Sequence, residues 1–138
     1  MQTAVFPGDY KSLEKIGNFI KQAAEASGLD ESAAYAVQLA VDEACSNIIE
    51  HAYGGEGLGE IKCSVQTLDD GLKVVLCDRG RPFDPDKVPA PDLTAPLEEL
   101  KARGLGLHWM HKLVDEVHFQ FGVDATNILT LIKRRRKG

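Results

Sequence analysis

The 138-residue sequence lacks any long apolar run and any excess of positive charge. No stretch approaches the roughly 20 apolar residues that a membrane-spanning helix needs, and the N-terminus lacks the basic-then-apolar pattern of a signal peptide. The net charge of −5 argues against general affinity for nucleic acid. The sequence therefore predicts a protein that binds neither a membrane nor nucleic acid directly.

Cysteine is also scarce, with only Cys45, Cys63 and Cys77, which are odd in number and widely spaced. Each lies within an apolar pattern, as small core residues do, rather than in the spacing of a disulfide framework. Reduced thiols of this kind are typical of a cytoplasmic protein. With 43% hydrophobic and 27% charged residues, the chain is expected to form one globular domain over residues 1–138.

Apolar residues recur at helical spacing in the first third of the chain and at strand spacing later. The helical period covers residues 10–26 and resumes after Asp30, a residue type that caps helices, until about Tyr53. A third helix is expected to end near Val114. A period of two predicts strands at 2–6, 61–67, 72–77, 117–123 and 128–133. This order predicts a two-layer α/β sandwich, in which helices cover one face of a mixed, mostly antiparallel sheet.

Glu43 and Asn47 lie four residues apart near the end of the second predicted helix, so they share one face of it. Both lie at the edge of the apolar stripe, between the core and the solvent side. A carboxylate beside a carboxamide has the chemistry to hold a metal ion next to a nucleophile. The alternative is an ordinary solvated polar shoulder, which this pair alone does not exclude.

Two glycine-containing stretches follow, each with a structural alternative. Asp78 ends a buried strand, where its carboxylate could accept a hydrogen bond from an exocyclic amine, and Gly80 would let a flat ring approach. The alternative is a strand-ending turn. Gly104 and Gly106 open a helix, where backbone N–H groups suit phosphate, or they form a plain loop-to-helix junction. The proline-rich segment at 84–103 has the length of a functional or disordered loop.

In the last predicted strand, one hydroxyl side chain lies on the same face as apolar residues. Thr130 alternates with Ile128 and Ile132, so its hydroxyl faces either a ligand or a backbone partner within the sheet. The basic run at 133–137 is expected to be a solvated strand end, with nucleic-acid contact as the alternative.

Taken in order, Glu43-x-x-x-Asn47, Asp78-x-Gly80-x-x-Phe83 and Gly104-x-Gly106-Leu107 resemble the N, G1 and G2 boxes of the histidine-kinase-like (GHKL) ATPase superfamily. The resemblance extends from about residue 10 to residue 133. It is closest to the small anti-sigma-factor serine/threonine kinases, because His51-Ala52-Tyr53 follows the first box as in their sequences. The resemblance implies the Bergerat ATP-binding fold, with a flexible ATP lid at about 84–103.

The resemblance also implies a role for each matching residue. Glu43 would be the catalytic base that accepts the proton of an attacking hydroxyl, and Asn47 would bind Mg²⁺ beside the phosphates of ATP. Asp78 would bind the adenine amino group, with Thr130 assisting from the sheet. The other nucleotide-binding positions that it implies are Gly80, Phe83, Arg103, Gly104, Leu105, Gly106 and Leu107.

The implied function is an ATP-dependent serine/threonine protein kinase that also acts as an anti-sigma factor. Its substrate would be a small anti-anti-sigma protein of the STAS type, and a sigma factor would be the competing partner. Such kinases usually work as homodimers. Two alternatives stay open, namely a non-catalytic nucleotide-binding regulator on the same fold and a kinase in a pathway unrelated to transcription.

Overall fold

Five strands of the chain form one antiparallel sheet. The computed structural model describes residues 1–82 and 110–135. Its strands are β1 (Gln2–Pro7), β2 (Glu60–Leu68), β3 (Gly71–Asp78), β4 (Glu116–Val123) and β5 (Thr126–Arg134). They lie in the order β1-β2-β3-β5-β4, and every neighbouring pair is antiparallel. The strand that comes last along the chain therefore lies inside the sheet, between β3 and β4.

Two helices, α1 (Ser12–Ala26) and α2 (Glu31–Asn47), pack against this sheet. Asp30 caps α2, because its carboxylate accepts a hydrogen bond from the Ala33 backbone N–H at 2.7 Å. This bond satisfies one of the donors that every helix leaves open in its first turn. Between the two helices, Gly28 adopts a left-handed φ of 78°, a conformation that commonly ends a helix.

The second helix continues into a π-helix at Ile48–Tyr53. Short π-helical segments are rare and are frequently found at functional sites. Gly54 ends the segment with a φ of 79°, and the Gly55 N–H donates to the Ile49 carbonyl at 2.9 Å. The predicted end of the helix near residue 53 is confirmed, whereas the change of helix type was not predicted.

Alternate residues of the central strands face the helices and are buried. In β3 this buried phase runs from Leu72 and ends on a polar residue, Asp78. In β5 it includes Leu129 and Leu131. The largest fully buried helical side chains in the same core are Ile16, Ile20, Ile49, Met110, Val37 and Val41. Removal of these apolar surfaces from water supplies the main driving force for folding.

The two-layer α/β architecture predicted from the sequence is confirmed. All five predicted strands are present, and the described sheet is antiparallel throughout rather than mixed. Residues 110–113 are helical, in agreement with the helix expected to end near Val114. Within residues 1–82 and 110–135, no helix has the length and apolarity that crossing a membrane requires.

Candidate functional site

A cleft lies between the end of α2 and strands β3, β4 and β5. It opens to solvent and has a cavity volume of about 20 Å³. Its polar lining residues are Asn47, Asp78 and Asn127. Its apolar lining residues are Ala44, Ile48, Met110, Phe119, Phe121, Ile128 and Leu129. Two of the residues predicted to form a site, Asn47 and Asp78, thus meet in one cleft although they are far apart in sequence.

Asp78 is held at the end of β3 by two hydrogen bonds to the same oxygen. Its Oδ1 accepts from the Gly80 backbone N–H at 2.9 Å and from Asn127 Nδ2 at 2.9 Å. The residue is only 5% exposed, and a buried carboxylate needs such donors because it has lost its contacts with water. Both described bonds use Oδ1, so Oδ2 keeps its capacity to accept from a ligand.

Asn127 is the partner that sets the position of Asp78. The two residues pair across β3 and β5, so their side chains lie on the same face of the sheet. Asn127 Nδ2 also donates to the Gly80 carbonyl at 3.0 Å, and its Oδ1 accepts from the Gly122 N–H at 3.2 Å. Asn127 was not among the site residues predicted from the sequence. The available signal was its position at the start of the last strand, next to a turn.

The structure contradicts the position expected for Thr130. This residue pairs with Val75 and lies three positions along β5 from Asn127. Side chains alternate between the two faces of a strand, so the Thr130 hydroxyl lies on the face opposite to Asp78 and Asn127. The expectation that Thr130 assists Asp78 from the sheet was therefore wrong, and Asn127 occupies that place.

Asn47, the last residue of α2, is buried beside the cleft with an unsatisfied amide. It is 6% exposed, and within the described residues its Nδ2 atom has no hydrogen-bond partner. A buried donor without a partner costs about 1–3 kcal/mol, so it is expected mainly where a ligand supplies the acceptor. Glu43 lies one turn earlier and is half-buried. Within the described chain, Glu43 is not one of the residues that line the cleft.

Gly80 is required by its contact with the π-helix. A Cβ atom at this position would lie 2.6 Å from the backbone carbonyl carbon and oxygen of Ala52, which is far closer than van der Waals contact allows. The same carbonyl accepts a hydrogen bond from the Arg81 N–H at 2.7 Å. The missing side chain thus makes room for the protein's own backbone, and its predicted role beside a flat ring stays a prediction.

Tyr53, at the end of the π-helix, joins this helix to two strands. Its hydroxyl donates to the Glu60 carbonyl at 2.5 Å and accepts from the Arg79 N–H at 3.0 Å. Its ring covers Gly59, where any Cβ would collide with the ring. Burial raises the pKa of Tyr53, so the hydroxyl keeps the proton that it donates. The stretch His51-Ala52-Tyr53 therefore positions the end of α2 against the sheet.

Several predicted site residues lie outside the described residues. They are Phe83, Arg103, Gly104, Leu105, Gly106 and Leu107, together with the lid predicted at 84–103. In the part of the chain that the structure describes, no group of three or more His, Cys, Asp or Glu side chains could hold a metal ion. A Mg²⁺ ion at Asn47 would therefore take most of its ligands from phosphate oxygens and water, as Mg²⁺ commonly does.

Comparison with known proteins identifies the family of this chain. A family model described as the histidine kinase-like ATPase domain matches residues 6–133. The serine-protein kinase RsbW of Bacillus cereus strain AH187 is 32% identical over 105 residues, which are 73% of this chain and 65% of that protein. The RsbW of Bacillus velezensis strain FZB42 is 35% identical over 100 residues, which are 68% of this chain and 61% of that protein. The chain thus spans less than two thirds of these relatives.

Two solved structures share the fold. The RsbU and RsbW domains of a Mycobacterium tuberculosis protein match with a TM-score of 0.64 at 16% identity, covering 96% of this chain and 31% of that one. A histidine kinase domain from Erythrobacter litoralis matches with a TM-score of 0.55 at 17% identity, covering 93% of this chain and 61% of that one. At such low identity, these matches establish the fold alone.

Proposed function

Because the chain belongs to the histidine kinase-like ATPase domain family, we propose that it is an ATP-dependent serine/threonine protein kinase. The observation that supports this most directly is the cleft that Asn47 shares with the Asp78–Asn127 pair, because the Asn47 amide nitrogen has no partner among the described residues. The name serine-protein kinase, which its curated relatives carry, supports the class of reaction.

Asp78 would bind the base of the nucleotide. An ionised carboxylate only accepts hydrogen bonds, so Oδ2, which makes no bond with the described residues, would suit the exocyclic amine of adenine and disfavour the carbonyl that guanine carries at the same position. The hydrogen bonds from Gly80 and Asn127 hold the carboxylate in place before the ligand arrives. This preorganisation reduces the entropy that binding would otherwise cost.

Asn47 would hold the metal ion. Its amide oxygen is a ligand type that suits Mg²⁺, and its nitrogen, which has no partner among the described residues, would donate to a phosphate oxygen. When bound, Mg²⁺ supplies charge neutralisation for the transferred phosphoryl group. The phosphate cradle proposed at Gly104, Leu105 and Gly106, with the lid at 84–103, would complete the site.

Glu43 would act as the general base. Its carboxylate would accept the proton of a serine or threonine hydroxyl as that oxygen bonds to the γ-phosphorus and ADP leaves. Glu43 lies one helical turn before Asn47, so a single rigid helix would position both the base and the metal ligand.

The protein substrate is proposed to be a small anti-anti-sigma protein of the STAS type, with a sigma factor as the competing partner and a homodimer as the working state. The name serine-protein kinase RsbW, which the curated relatives carry, supports a protein as the substrate.

Matched variants of Glu43 and Asn47 test the proposal. The chain is incubated with Mg²⁺, γ-labelled ATP and candidate STAS-domain proteins from the same genome, and transfer and ATP affinity are measured. Glu43→Gln should retain ATP affinity and lose transfer by about 100-fold or more, the usual contribution of a general base. Asn47→Ala should instead weaken Mg²⁺-dependent ATP binding.

Each outcome decides one element of the proposal. Full transfer by Glu43→Gln would remove Glu43 as the base, and unchanged Mg²⁺·ATP affinity in Asn47→Ala would remove Asn47 as the ligand. ATP binding by the wild type without transfer to any candidate would favour the non-catalytic nucleotide-binding regulator. Transfer to a protein outside sigma-factor control would place the kinase in a non-transcriptional pathway.

A further inference from the structure

The pairing of β2 with β3 stops short of the edge at which β2 begins and β3 ends. The last pair of the register is Lys62 with Cys77, and two further residues would bring Glu60 opposite Arg79. The Tyr53 hydroxyl bridges these two residues instead, because it donates to the Glu60 carbonyl at 2.5 Å and accepts from the Arg79 N–H at 3.0 Å. A side chain of the π-helix thus takes the place of a direct bond between the two strands.

The segment that follows β3 is bound to the π-helix at two points. The first is the bond to the Tyr53 hydroxyl, and the second is the bond from the Arg81 N–H to the Ala52 carbonyl at 2.7 Å. The Gly80 N–H, which lies between them in the chain, donates to Asp78 Oδ1 at 2.9 Å. The turn that orients the Asp78 carboxylate is therefore held by the π-helix on both sides.

The Tyr53 side chain is itself held in place. Its ring lies against Gly59, where any Cβ atom would collide with it. The residue is half-buried, and burial is the main reason that the pKa of its hydroxyl is raised. The hydroxyl is therefore protonated at neutral pH and can donate one hydrogen bond while it accepts another. A fixed donor and acceptor of this kind determines where the end of β3 lies relative to the π-helix.

We propose that Tyr53 is a positioning residue, which fixes the Asp78 carboxylate for the amino group of adenine and so sets the preference for this base. The inference rests on the proposed function, in which Asp78 accepts a hydrogen bond from that amine. Such a bond weakens steeply when the acceptor moves out of line or out of range. Without the Tyr53 hydroxyl, the turn is held on one side only, so the carboxylate takes up more positions and the bond to the amine weakens.

Isothermal titration calorimetry with Mg²⁺ tests this by comparing ATP with purine riboside triphosphate, which carries hydrogen in place of the adenine amino group. Wild type should bind ATP about tenfold more tightly, the effect of one hydrogen bond to a charged group. In Tyr53→Phe, ATP affinity should fall by about fivefold, while the affinity for purine riboside triphosphate should be unchanged. A loss of folded protein would lower both affinities alike, so a merely structural role does not change their ratio.

Tyr10→Phe is the matched control. The Tyr10 hydroxyl also donates a hydrogen bond, to Glu50 Oε1 at 2.9 Å, and within the described chain Tyr10 lies outside the cleft lining. This variant should keep the wild-type ratio of the two affinities.

The wild-type ratio in Tyr53→Phe, or an equal loss of affinity for both nucleotides, would overturn the positioning role alone. If wild type bound the two nucleotides equally well, or bound neither, the proposed role of Asp78 would fail with it. The two failures are therefore distinguishable.

Discussion

At the scale of single residues, the two asparagines of the cleft have opposite hydrogen-bonding states. Asn127 uses both amide hydrogens and one lone pair of its oxygen, with two bonds donated and one accepted. Asn47 keeps a buried nitrogen for which the described residues offer no acceptor. Asn127 therefore holds the cleft in shape, and Asn47 is the residue whose amide nitrogen would donate a hydrogen bond to a ligand.

Replacing Asn127 with alanine should release Asp78 and weaken ATP binding. The variant leaves the Asp78 carboxylate and the Gly80 carbonyl without their shared donor, so we expect ATP affinity to fall by about tenfold and stability by about 1–3 kcal/mol. Thr130→Val is the control on the same strand and should leave ATP affinity unchanged, since its side chain lies on the opposite face. Equal ATP affinities in Asn127→Ala and wild type, measured by calorimetry, would contradict the positioning role.

The positions of Asn47 near a helix end and of Asp78 at a strand end could be predicted from the sequence, because the apolar periods of α2 and β3 are visible locally. The choice between Asn127 and Thr130 could not be made in this way. It depends on the register of β5 against β3, and a shift of one residue exchanges the two faces of a strand. That register is set by pairing between residues as far apart as Gly71 and Arg134, so the local pattern does not contain it.

At the scale of secondary structure, the π-helix is the element that brings α2 to the sheet. Ala52 accepts from the loop after β3, and the Tyr53 hydroxyl bonds to both the start of β2 and the end of β3. These contacts hold the helix end beside Asp78. The sequence predicted where this helix ends, from the apolar period and the glycines that follow. It could not predict the π-helical turn, because that turn depends on contacts with the distant strands.

Tyr53→Phe should weaken the contact between the π-helix and the sheet while the packing of the ring is kept. The variant keeps the ring over Gly59 but leaves the Arg79 N–H and the Glu60 carbonyl without their common partner, so we expect a loss of about 1–2 kcal/mol in the free energy of unfolding. Urea titration followed by circular dichroism measures it. Tyr35→Phe, which removes the hydroxyl of a 64% exposed ring, should change stability little. A loss of equal size in both variants would contradict the role of the Tyr53 hydroxyl.

At the scale of the whole molecule, the basic C-terminal run is partly used within the fold. The Arg134 side chain bonds to Asp70 and Glu116, and the Arg135 backbone N–H donates to the Asp70 carbonyl at 2.7 Å. These arginines tie the end of β5 to the turn between β2 and β3. The strand end that was expected to be solvated therefore also makes ion pairs with neighbouring parts of the sheet. Because these ion pairs are exposed, they contribute modestly to stability.

Alkaline pH should destabilise the fold through its buried thiols. Burial raises the pKa of Cys63 from 9.0 to about 12, and it raises that of Cys45 well above its ordinary value. As the pH rises above about 9, the unfolded chain releases thiol protons that the folded chain retains, so the free energy of unfolding falls until the folded pKa is passed. Below the pKa that the thiols have in the unfolded chain, no stability is lost in this way.

Cys63→Ala isolates this effect from packing. The variant should be less stable at every pH, but its stability should fall less steeply above about pH 9, by at most about 1.4 kcal/mol per pH unit for one thiol. Urea unfolding at about pH 8 and about pH 10, with reductant present, measures both slopes. The same pH dependence in variant and wild type would exclude Cys63 as a source of the alkaline loss.

The place of β5 inside the sheet also has a kinetic consequence. β5 is synthesised after the other four strands, yet it pairs with both β3 and β4, and Asn127 meets Asp78 across 49 residues of sequence. Contacts between such distant residues form slowly, because the loop must close before any pairing compensates for its lost entropy. The nascent chain should therefore acquire its nucleotide cleft only at the last step of folding. Added ATP should slow unfolding and leave the early folding phases unchanged.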